Sequence, residues 1–375
     1  MTPNALIVRY GEISLKGRNR VHFENILRED LRRFLKAQGV TFSSVERSRG
    51  RIYIRGIESE VPLERVMGVL SYSPAREVPR RMEALEAAAA ELYPLVQAAG
   101  SFRVSCQRID KAFPLNSMDV ERLLGERVRL DTGAAVDLTA PGFDLEVEIG
   151  REKAFVFHRR IPGFGGMPYG SAGKLVALTS SGIDSPVAAF LMMKRGVEPI
   201  LLHFSLNEED RRKVERLRDQ LQKYAAGRSI RLEVIEHREL LRDRFSQLKA
   251  DRRVGPFLCV ICKHLMHRRG GELARREGAL GLITGDSLAQ VASQTLSNLA
   301  AYGTSSGLPV YSPLIGFDKV EIMALARRIG TYEISITKAP GCVPPANPRT
   351  RVDPQVFQAI LAESGLDSAG ESSDS

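Results

Sequence analysis

The stretch ALTSSGIDSPVAAFL, Ala177 to Leu191, decides the fold of the second half of the chain. An apolar run, Leu175 to Leu178, predicts a strand that meets a turn of Ser and Gly residues, and a helical pattern follows directly. At such a junction, backbone N–H groups and the positive end of a helix dipole face one point, which suits an anion. The turn has no lysine and no GxGxxG spacing, so it is neither of the common phosphate loops. An ordinary helix cap is the alternative.

Composition narrows the class of protein. The 375 residues are enough for two or three domains, and 43% hydrophobic residues are typical of a globular chain. A net charge of +9 is consistent with a nucleic-acid partner or with a solvated basic surface. No apolar run approaches the ~18–20 residues that span a bilayer, and the start does not read as a secretory signal. We therefore expect a cytoplasmic protein with no membrane partner.

Two α+β units are predicted in the first half of the chain. Residues 4–10 and 51–56 have the composition of strands, and residues 21–38 carry an apolar stripe at helical spacing between them. This order predicts a first unit over residues 1–58. Residues 59–165 again mix helical and strand patterns, which predicts a second α+β unit.

The pattern changes after residues 161–174, a Gly- and Pro-rich segment that is typical of a linker. Beyond it, strand patterns alternate with helical ones, which predicts an α/β doubly wound parallel sheet over residues 166–362. In such sheets, ligands bind at the carboxyl ends of the strands. The polar, acidic segment 363–375 is expected to be a disordered tail.

The turn at 180–185, SSGIDS, resembles the SGGxDS loop (PP-loop) of the ATP pyrophosphatases, which split ATP into AMP and pyrophosphate while adenylating a substrate. Ser181 departs from that pattern, because the family usually has glycine there. A side chain at this position is expected to narrow the pyrophosphate pocket.

Within that superfamily, the chain closely resembles the tRNA 4-thiouridine sulfurtransferases. RYGEISLKGRNRVHFE at 9–24, GGMPYGSAGK at 165–174 and GDSLAQVASQTLSNL at 285–299 match the signatures of that family in the same order. The resemblance implies an N-terminal ferredoxin-like domain, a THUMP domain that binds RNA, and an adenine-nucleotide domain. These agree with the α+β, α+β, α/β order of the patterns.

The activity that the resemblance implies is adenylation of O4 of uridine 8 in tRNA, followed by transfer of sulfur to C4. ATP and Mg²⁺ would be required, and AMP and pyrophosphate released. Two alternatives stay open. One is a related ligase with another acceptor, such as a tRNA 2-thiolation enzyme, and the other is a non-catalytic THUMP RNA-binding protein.

The resemblance also implies roles for particular residues. Asp184 would be a Mg²⁺ partner, since a bare carboxylate among phosphates would repel ATP. Lys319 would be a catalytic cation at the α-phosphate, although a surface lysine at a helix start is the commoner case. The implied nucleotide positions are Leu178, Thr179, Ser180, Gly182, Ser185, His203, Phe204, Lys263, Gly285 and Gln294.

The positive charge of the first two units suits tRNA. Candidate contacts to RNA phosphates are Lys16, Arg18, Arg20, Arg32 and Arg33, and a solvated face is the alternative for each. Aromatic residues are only 6% of the chain, so stacking on single-stranded bases is not expected.

Three cysteines are candidates for the sulfur chemistry. Many members of the resembled family carry the sulfur on a C-terminal rhodanese domain, which we do not find here. Cys259 and Cys262 form a CxxC at the start of a helical stretch, and Cys342 lies in a Pro/Gly-rich segment. We favour a 4Fe–4S cluster held by three thiolates, with one iron open to hydrosulfide, as the resemblance to the rhodanese-less branch implies. Zinc, a persulfide relay at Cys342, and purely structural cysteines are the alternatives.

The remaining partners are expectations only. The sulfur donor would be sulfide or a cysteine desulfurase, and a homodimer is possible. Some relatives also supply sulfur for thiamine biosynthesis.

Overall fold

The computed structural model describes residues 1–48, 50–59, 61–338, 340–343, 345 and 347–366. It divides into two compact units, Met1–Met167 and Pro168–Ser375. Within the described residues, no helix is both long and apolar enough to cross a membrane.

The first unit is built on a nine-stranded sheet with helices. Its elements are β1 (Ala5–Arg9), α1 (Arg20–Ala37), β2 (Ser44–Ser48), β3 (Arg51–Arg55), β4 (Ser71–Pro79), α2 (Met82–Ala90), α3 (Tyr93–Ala99), β5 (Ser101–Arg108), α4 (Ser117–Thr132), β6 (Ala135–Val136), β7 (Phe143–Ile149), β8 (Lys153–Phe157) and β9 (Ile161–Pro162). The strand order is β2-β3-β1-β4-β8-β7-β5-β6, and β9 pairs with β4.

Strand β4 joins the two halves of this sheet. Its first residues pair with β1 and its last with β8, both in antiparallel register. The segment that leads into β4 packs with the first half, because Leu63 and Val69 are fully buried in the same core as Leu27 of α1. The predicted start of the second unit at residue 59 is therefore too early, and the change of core falls within β4.

The second unit holds the predicted parallel sheet. Its elements are β10 (Gly173–Leu178), α5 (Asp184–Lys194), β11 (Val197–Ser205), α6 (Glu208–Gln222), β12 (Leu232–Glu236), α7 (His237–Leu240), α8 (Phe245–Ala250), α9 (Leu258–Glu277), β13 (Leu282–Ile283), α10 (Leu296–Tyr302), β14 (Val310–Tyr311), α11 (Lys319–Arg328), α12 (Tyr332–Ile336) and α13 (Pro354–Ser364).

All pairs in this sheet are parallel, in the order β12-β11-β10-β13-β14. The two strands that follow β10 in the chain, β11 and β12, lie on one side of it in the sheet, whereas β13 and β14 lie on its other side. Ligands of open α/β sheets bind at the carboxyl ends of the strands beside such a reversal. The sheet therefore predicts a site where β10, β11 and β13 end.

Helix α9 packs closely against these strands. A Cβ atom at Gly270 would lie 3.1 Å from side-chain atoms of Leu178 and Leu282, so only glycine allows this approach without local movement. The first two turns of α9 carry Cys259 and Cys262. Close packing therefore fixes the CxxC relative to the end of β10.

The end of the chain is ordered further than predicted. Helix α13 continues to Ser364, and Leu366 is buried in the core of the second unit. The predicted disordered tail from residue 363 is therefore wrong in its first residues, because an apolar face of the last helix packs inward. The rest of that prediction, residues 367–375, lies outside the described residues.

Candidate functional site

A cavity of about 510 Å³ opens at the carboxyl ends of β10, β11 and β13, within the second unit. It brings together most of the predicted nucleotide positions and all three candidate cysteines. The predicted residues that line it are Leu178, Thr179, Ser180, Asp184, Ser185, His203, Phe204, Cys259, Cys262, Lys263, Gly285, Gln294 and Cys342. Gly182 and Lys319 are not among its lining residues.

The loop between β10 and α5 is ordered by its own hydroxyl groups. The Oγ of Ser185 accepts from the backbone N–H of Ser180 at 2.8 Å and donates to the carbonyl oxygen of Ser180 at 3.1 Å. The backbone N–H of Gly182 donates to the Oγ of Ser180 at 3.3 Å. These bonds hold the loop in a tight turn at the N-terminus of α5, the end of a helix that attracts anions.

Gly285 must be glycine because the loop after β13 lies against this turn. A Cβ atom there would come within 2.8 Å of the backbone nitrogen of Ser185. Gly285, a predicted nucleotide position, therefore lies where the backbone of this loop contacts the backbone of α5. A side chain at residue 285 would displace the first turn of α5.

Asp184 and Lys319 form an ion pair beside the loop. The Nζ of Lys319, the first residue of α11, lies 2.6 Å from Oδ1 of Asp184, and the Nε2 of Gln290 donates to Oδ2 at 3.1 Å. The capping box formed by Asp318 and Glu321 begins α11 at Lys319 and so places its ammonium group near α5. A carboxylate and a cation are therefore held next to this turn.

Lys263 is placed by a buried carboxylate that the sequence analysis did not single out. Its ammonium group bonds Asp286, and Gln294 donates to the same oxygen of Asp286 at 3.1 Å. Burial opposes ionisation of Asp286, but the nearby ammonium group outweighs burial, and the pKa of Asp286 lies below its ordinary value. Asp286 follows Gly285 directly in the signature at 285–299, and this position could have identified it from the sequence as a site residue.

All three candidate thiols line the cavity. Burial, followed by the charge of the neighbouring thiols, raises the pKa of both Cys259 and Cys262, and burial raises that of Cys342. The Nε2 of His237 lies 3.1 Å from the Sγ of Cys262, a contact that sequence spacing did not reveal.

Nevertheless, among the described residues no three His, Cys, Asp or Glu side chains are grouped closely enough to hold a single metal ion. Three cysteine thiols border the cavity, and thiolate is the type of ligand that iron–sulfur clusters take.

The basic residues of the signature at 9–24 differ in their environment. Lys16 and Arg18 are exposed. Arg20 instead donates to Glu24 at 2.6 Å and to the hydroxyl of Tyr10 at 3.2 Å, and Tyr10 itself bonds Glu24. Much of this signature therefore builds the fold, and the spacing of Arg20 and Glu24, four residues apart on a helix, was a signal for that role.

The other two predicted phosphate contacts also have partners on α1 and β2. Arg32 donates to Glu29 at 2.7 Å and to the carbonyl oxygen of Val45 at 3.1 Å, whereas Arg33 donates to Asp30 at 3.0 Å. Both are half-buried. Each would have to share or exchange these partners to bind a phosphate.

Comparison with known families covers most of the chain. The family described as thiamine biosynthesis protein (ThiI) matches residues 170–364, the ThiI ferredoxin-like domain matches 5–73 and the THUMP domain matches 79–159. With the two sheets described above, these matches confirm the predicted fold: a ferredoxin-like and a THUMP domain followed by a parallel-sheet PP-loop domain.

Similar proteins and structures extend over nearly the full length. A probable tRNA sulfurtransferase of Thermococcus kodakarensis is 41% identical over 343 residues, 88% of this chain and 89% of that protein. That of Thermus thermophilus is 39% identical over 357 residues, 92% of this chain and 86% of that protein.

Among solved structures, a 4-thiouridine synthetase–RNA complex with bound ATP has a TM-score of 0.84 and 31% identity and covers 98% of each chain. PH1313 from Pyrococcus horikoshii has a TM-score of 0.71 and 29% identity, over 87% of this chain and 99% of that one. The agreement in domains, signatures and cavity leads to one conclusion: this chain is a member of the ThiI family of tRNA sulfurtransferases.

Proposed function

We propose that the chain is an ATP-dependent tRNA uridine 4-sulfurtransferase that adenylates O4 of uridine 8 and then replaces that oxygen with sulfur. One observation carries the proposal: the turn that would bind the phosphates, Asp184 and three thiols line a single cavity, and Lys319 pairs with Asp184. The two halves of the reaction, nucleotide transfer and sulfur transfer, need these two sets of groups side by side. The similar 4-thiouridine synthetase, solved with RNA and bound ATP, supports the same substrates.

The first half-reaction needs positive charge around the phosphates. O4 of uridine attacks the α-phosphorus, the bond to the bridging oxygen breaks, and pyrophosphate leaves. Backbone N–H groups at the start of α5 would bind pyrophosphate, and Lys319 would stabilise the charge that develops on the α-phosphate. Mg²⁺, held by Asp184, would neutralise further phosphate charge.

The second half-reaction needs a sulfur nucleophile within reach of the activated carbon. Sulfur adds at C4 of uridine, the C4–O bond breaks, and AMP leaves with the former uridine oxygen. Cys259, Cys262 and Cys342 lie on the wall of the same cavity and would hold the group that carries the sulfur next to the activated carbon. An iron–sulfur cluster, bound by these three thiolates, would supply an iron open to hydrosulfide.

The proposed reaction is tested with purified anaerobic protein, ATP, sulfide and an unmodified tRNA transcript. We expect 4-thiouridine at position 8 by mass spectrometry of digested nucleosides, with AMP and pyrophosphate released in equal amounts. Thiolation without any nucleoside triphosphate would contradict the mechanism. Formation of 2-thiouridine instead would assign the chain to the alternative acceptor.

The proposed cluster predicts a colour. Protein purified without oxygen is expected to be brown, with visible charge-transfer absorption and iron and acid-labile sulfide that are lost together in a Cys259→Ser variant. A Cys106→Ala variant, changed in the first unit, is the control and should keep its colour. Colourless, zinc-loaded and active protein would contradict the cluster and favour the zinc alternative.

The two kinds of basic residue in the signature predict separable effects. Replacing Lys16 and Arg18 with alanine is expected to weaken tRNA binding several-fold and to reduce its salt dependence, because each replacement removes a phosphate contact.

Arg20→Ala is expected to lower the free energy of unfolding by about 1–3 kcal/mol, since Glu24 is buried and loses a charged partner. Filter binding at several salt concentrations and urea unfolding measure the two effects. Unchanged stability in Arg20→Ala would contradict its structural role.

A further inference from the structure

Cys342 lies in a segment without regular secondary structure. Helix α12 ends at Ile336, and none of the described residues from there to Val343 belongs to a helix or a strand. Gly341 and Cys342 nevertheless line the cavity. Side-chain contacts must therefore hold the described part of residues 337–343, which we call the Cys342 segment.

Two side chains of α6 and its cap bind the first part of this segment. The Nζ of Lys213 donates to the carbonyl oxygen of Thr337 at 2.7 Å, and the Nδ2 of Asn207 donates to that of Pro340 at 3.1 Å. Lys213 is buried, so little water competes for its ammonium group. The Oδ1 of Asn207 caps α6 by accepting from the backbone N–H of Asp210 at 2.9 Å. Both ends of this amide are thus bound, which fixes its orientation.

The third donor comes from α8 and binds on the other side of the cysteine. The Nζ of Lys249 donates to the carbonyl oxygen of Val343 at 3.1 Å. It also lies 5.9 Å from the centre of the ring of Phe245, a residue that lines the cavity. The three accepting carbonyl groups, those of residues 337, 340 and 343, are therefore three residues apart. Cys342 lies between the last two.

The composition of the segment explains why side-chain donors are needed. Pro340 has no N–H group, so a regular ladder of backbone hydrogen bonds cannot continue through it. Gly341 adds conformational freedom directly before the cysteine. Without the donors, the segment would populate many conformations in which the Cys342 thiol is away from the cavity.

We propose that Asn207, Lys213 and Lys249 are positioning residues for sulfur transfer, which hold the thiol of Cys342 at the cavity. The inference rests on the proposed function, in which that thiol acts after adenylation. Hydrogen bonds from charged donors are stronger than those from neutral ones, so the two lysines should contribute most. The turn between β10 and α5 is ordered by its own hydroxyl groups, so adenylation should not depend on these donors.

The substitution Lys249→Met removes the ammonium group and keeps an apolar side chain of similar length. We expect it to slow single-turnover formation of 4-thiouridine about three- to tenfold, with pyrophosphate exchange into ATP within about twofold of the wild-type rate. Lys249→Arg keeps a charged donor and should restore most of the thiolation rate. Gln247→Ala changes an exposed residue of the same helix and is the matched control, with both rates unchanged.

Two further variants test the α6 donors. Asn207→Ser keeps an oxygen that can cap α6, but serine is too short to reach Pro340. It should slow thiolation as Lys249→Met does, and so should Lys213→Met, which removes the buried donor. Combining Asn207→Ser with Lys249→Met should cost more than either change alone, because the two donors act on the segment from different helices. Melting temperatures recorded for every variant show whether the fold is intact.

Cross-linking measures the position of the thiol without relying on activity. The full-length protein, reduced and freed of metal with a chelator, is treated with dibromobimane, which joins two neighbouring thiols. Mass spectrometry of the digested protein then quantifies the linked peptides. Links between Cys342 and the cysteines of α9 should fall several-fold in the double variant Asn207→Ser/Lys249→Met. The link between Cys259 and Cys262 lies within α9 and is the internal reference.

The outcomes separate this proposal from the proposed function. Wild-type thiolation in the double variant would overturn the role of the donors and leave the proposed function intact. Slower thiolation with unchanged cross-linking, or an equal loss of pyrophosphate exchange, would also overturn it, because the donors would then act otherwise than by placing Cys342. If the wild-type protein does not thiolate tRNA, the proposed function fails, and cross-linking alone decides whether the donors hold the segment.

Discussion

An Asp184→Ala variant is expected to thiolate tRNA at least ~10²–10³-fold more slowly than the wild type, and Lys319→Ala should show a loss of the same order. The carboxylate of Asp184 and the ammonium group of Lys319 are 2.6 Å apart at the start of α5. Removing one of these groups leaves the other without its partner in the ion pair. It also removes one of the two charges that would act on the phosphates of ATP, either directly or through Mg²⁺. The measurement is single-turnover formation of 4-thiouridine with saturating ATP.

The affinity for tRNA should stay close to the wild-type value in both variants. The first unit, to which the candidate phosphate contacts belong, is unchanged, so a loss of activity with normal binding places the defect in chemistry. Lys223→Ala serves as the surface control, because it removes an exposed lysine whose ammonium group donates to Oε1 of Gln220. Full activity in Asp184→Ala or Lys319→Ala would remove both residues from the mechanism.

The conservative variants separate charge from geometry. Asp184→Asn keeps the side-chain shape and a contact to Gln290, but it cannot pair with a cation. If charge is the essential property, Asp184→Asn should be nearly as inactive as Asp184→Ala. Lys319→Arg keeps the charge on a larger group, and partial activity is expected only if the guanidinium group can still reach the phosphate.

The second half of the fold was predictable because its signals are local. The apolar run at Leu175–Leu178, the Ser/Gly turn and the following helical pattern lie within one short stretch, and the structure places β10 and α5 there. By contrast, β14 is a two-residue strand, Val310–Tyr311, whose pairing with β13 depends on neighbours rather than on its own composition. Short edge strands leave too few residues for a period to be recognised.

The sequence predicted the site residues that belong to recognisable motifs. It did not predict the residues that reach the site only through tertiary contacts. The loop and Gly285 were found from their segments. Asp210, which also lines the cavity, was missed because an acid in the first turn of a helix is ordinary, and only its tertiary contact with His203 links it to a predicted nucleotide position. His237 was missed because its partner Cys262 is 25 residues away on another helix.

Arg20 is a predicted phosphate contact for which the structure shows a second, structural role. Its place in a basic segment favoured a phosphate contact, but the structure pairs it with Glu24, which also accepts from Tyr10 and Arg47. A buried carboxylate needs charged donors, and the nearest arginines supply them before any ligand does. Signatures of this kind therefore mix residues that bind with residues that support the binding surface.

Cys342→Ser is expected to abolish 4-thiouridine formation while leaving tRNA-dependent exchange of pyrophosphate into ATP at close to the wild-type rate. The thiol lines the cavity, but it is not part of the anion-binding turn or of the Asp184–Lys319 pair. Sulfur transfer should therefore fail after adenylation has succeeded. The same separation is expected for Cys259→Ser and Cys262→Ser. Each variant is assayed for exchange and for thiouridine on the same tRNA transcript.

The chain provides its own control in Cys106, the fourth cysteine, which packs against the core of α4 and β5 in the first unit. Cys106 is not among the residues that line the cavity, so it is expected to take no part in either half-reaction. Cys106→Ala should retain both exchange and thiolation. If Cys342→Ser kept full thiolation, the cysteines would have no part in delivering sulfur. If it lost exchange as well, the thiol would act in adenylation, and the two half-reactions could not be assigned to separate groups of the cavity.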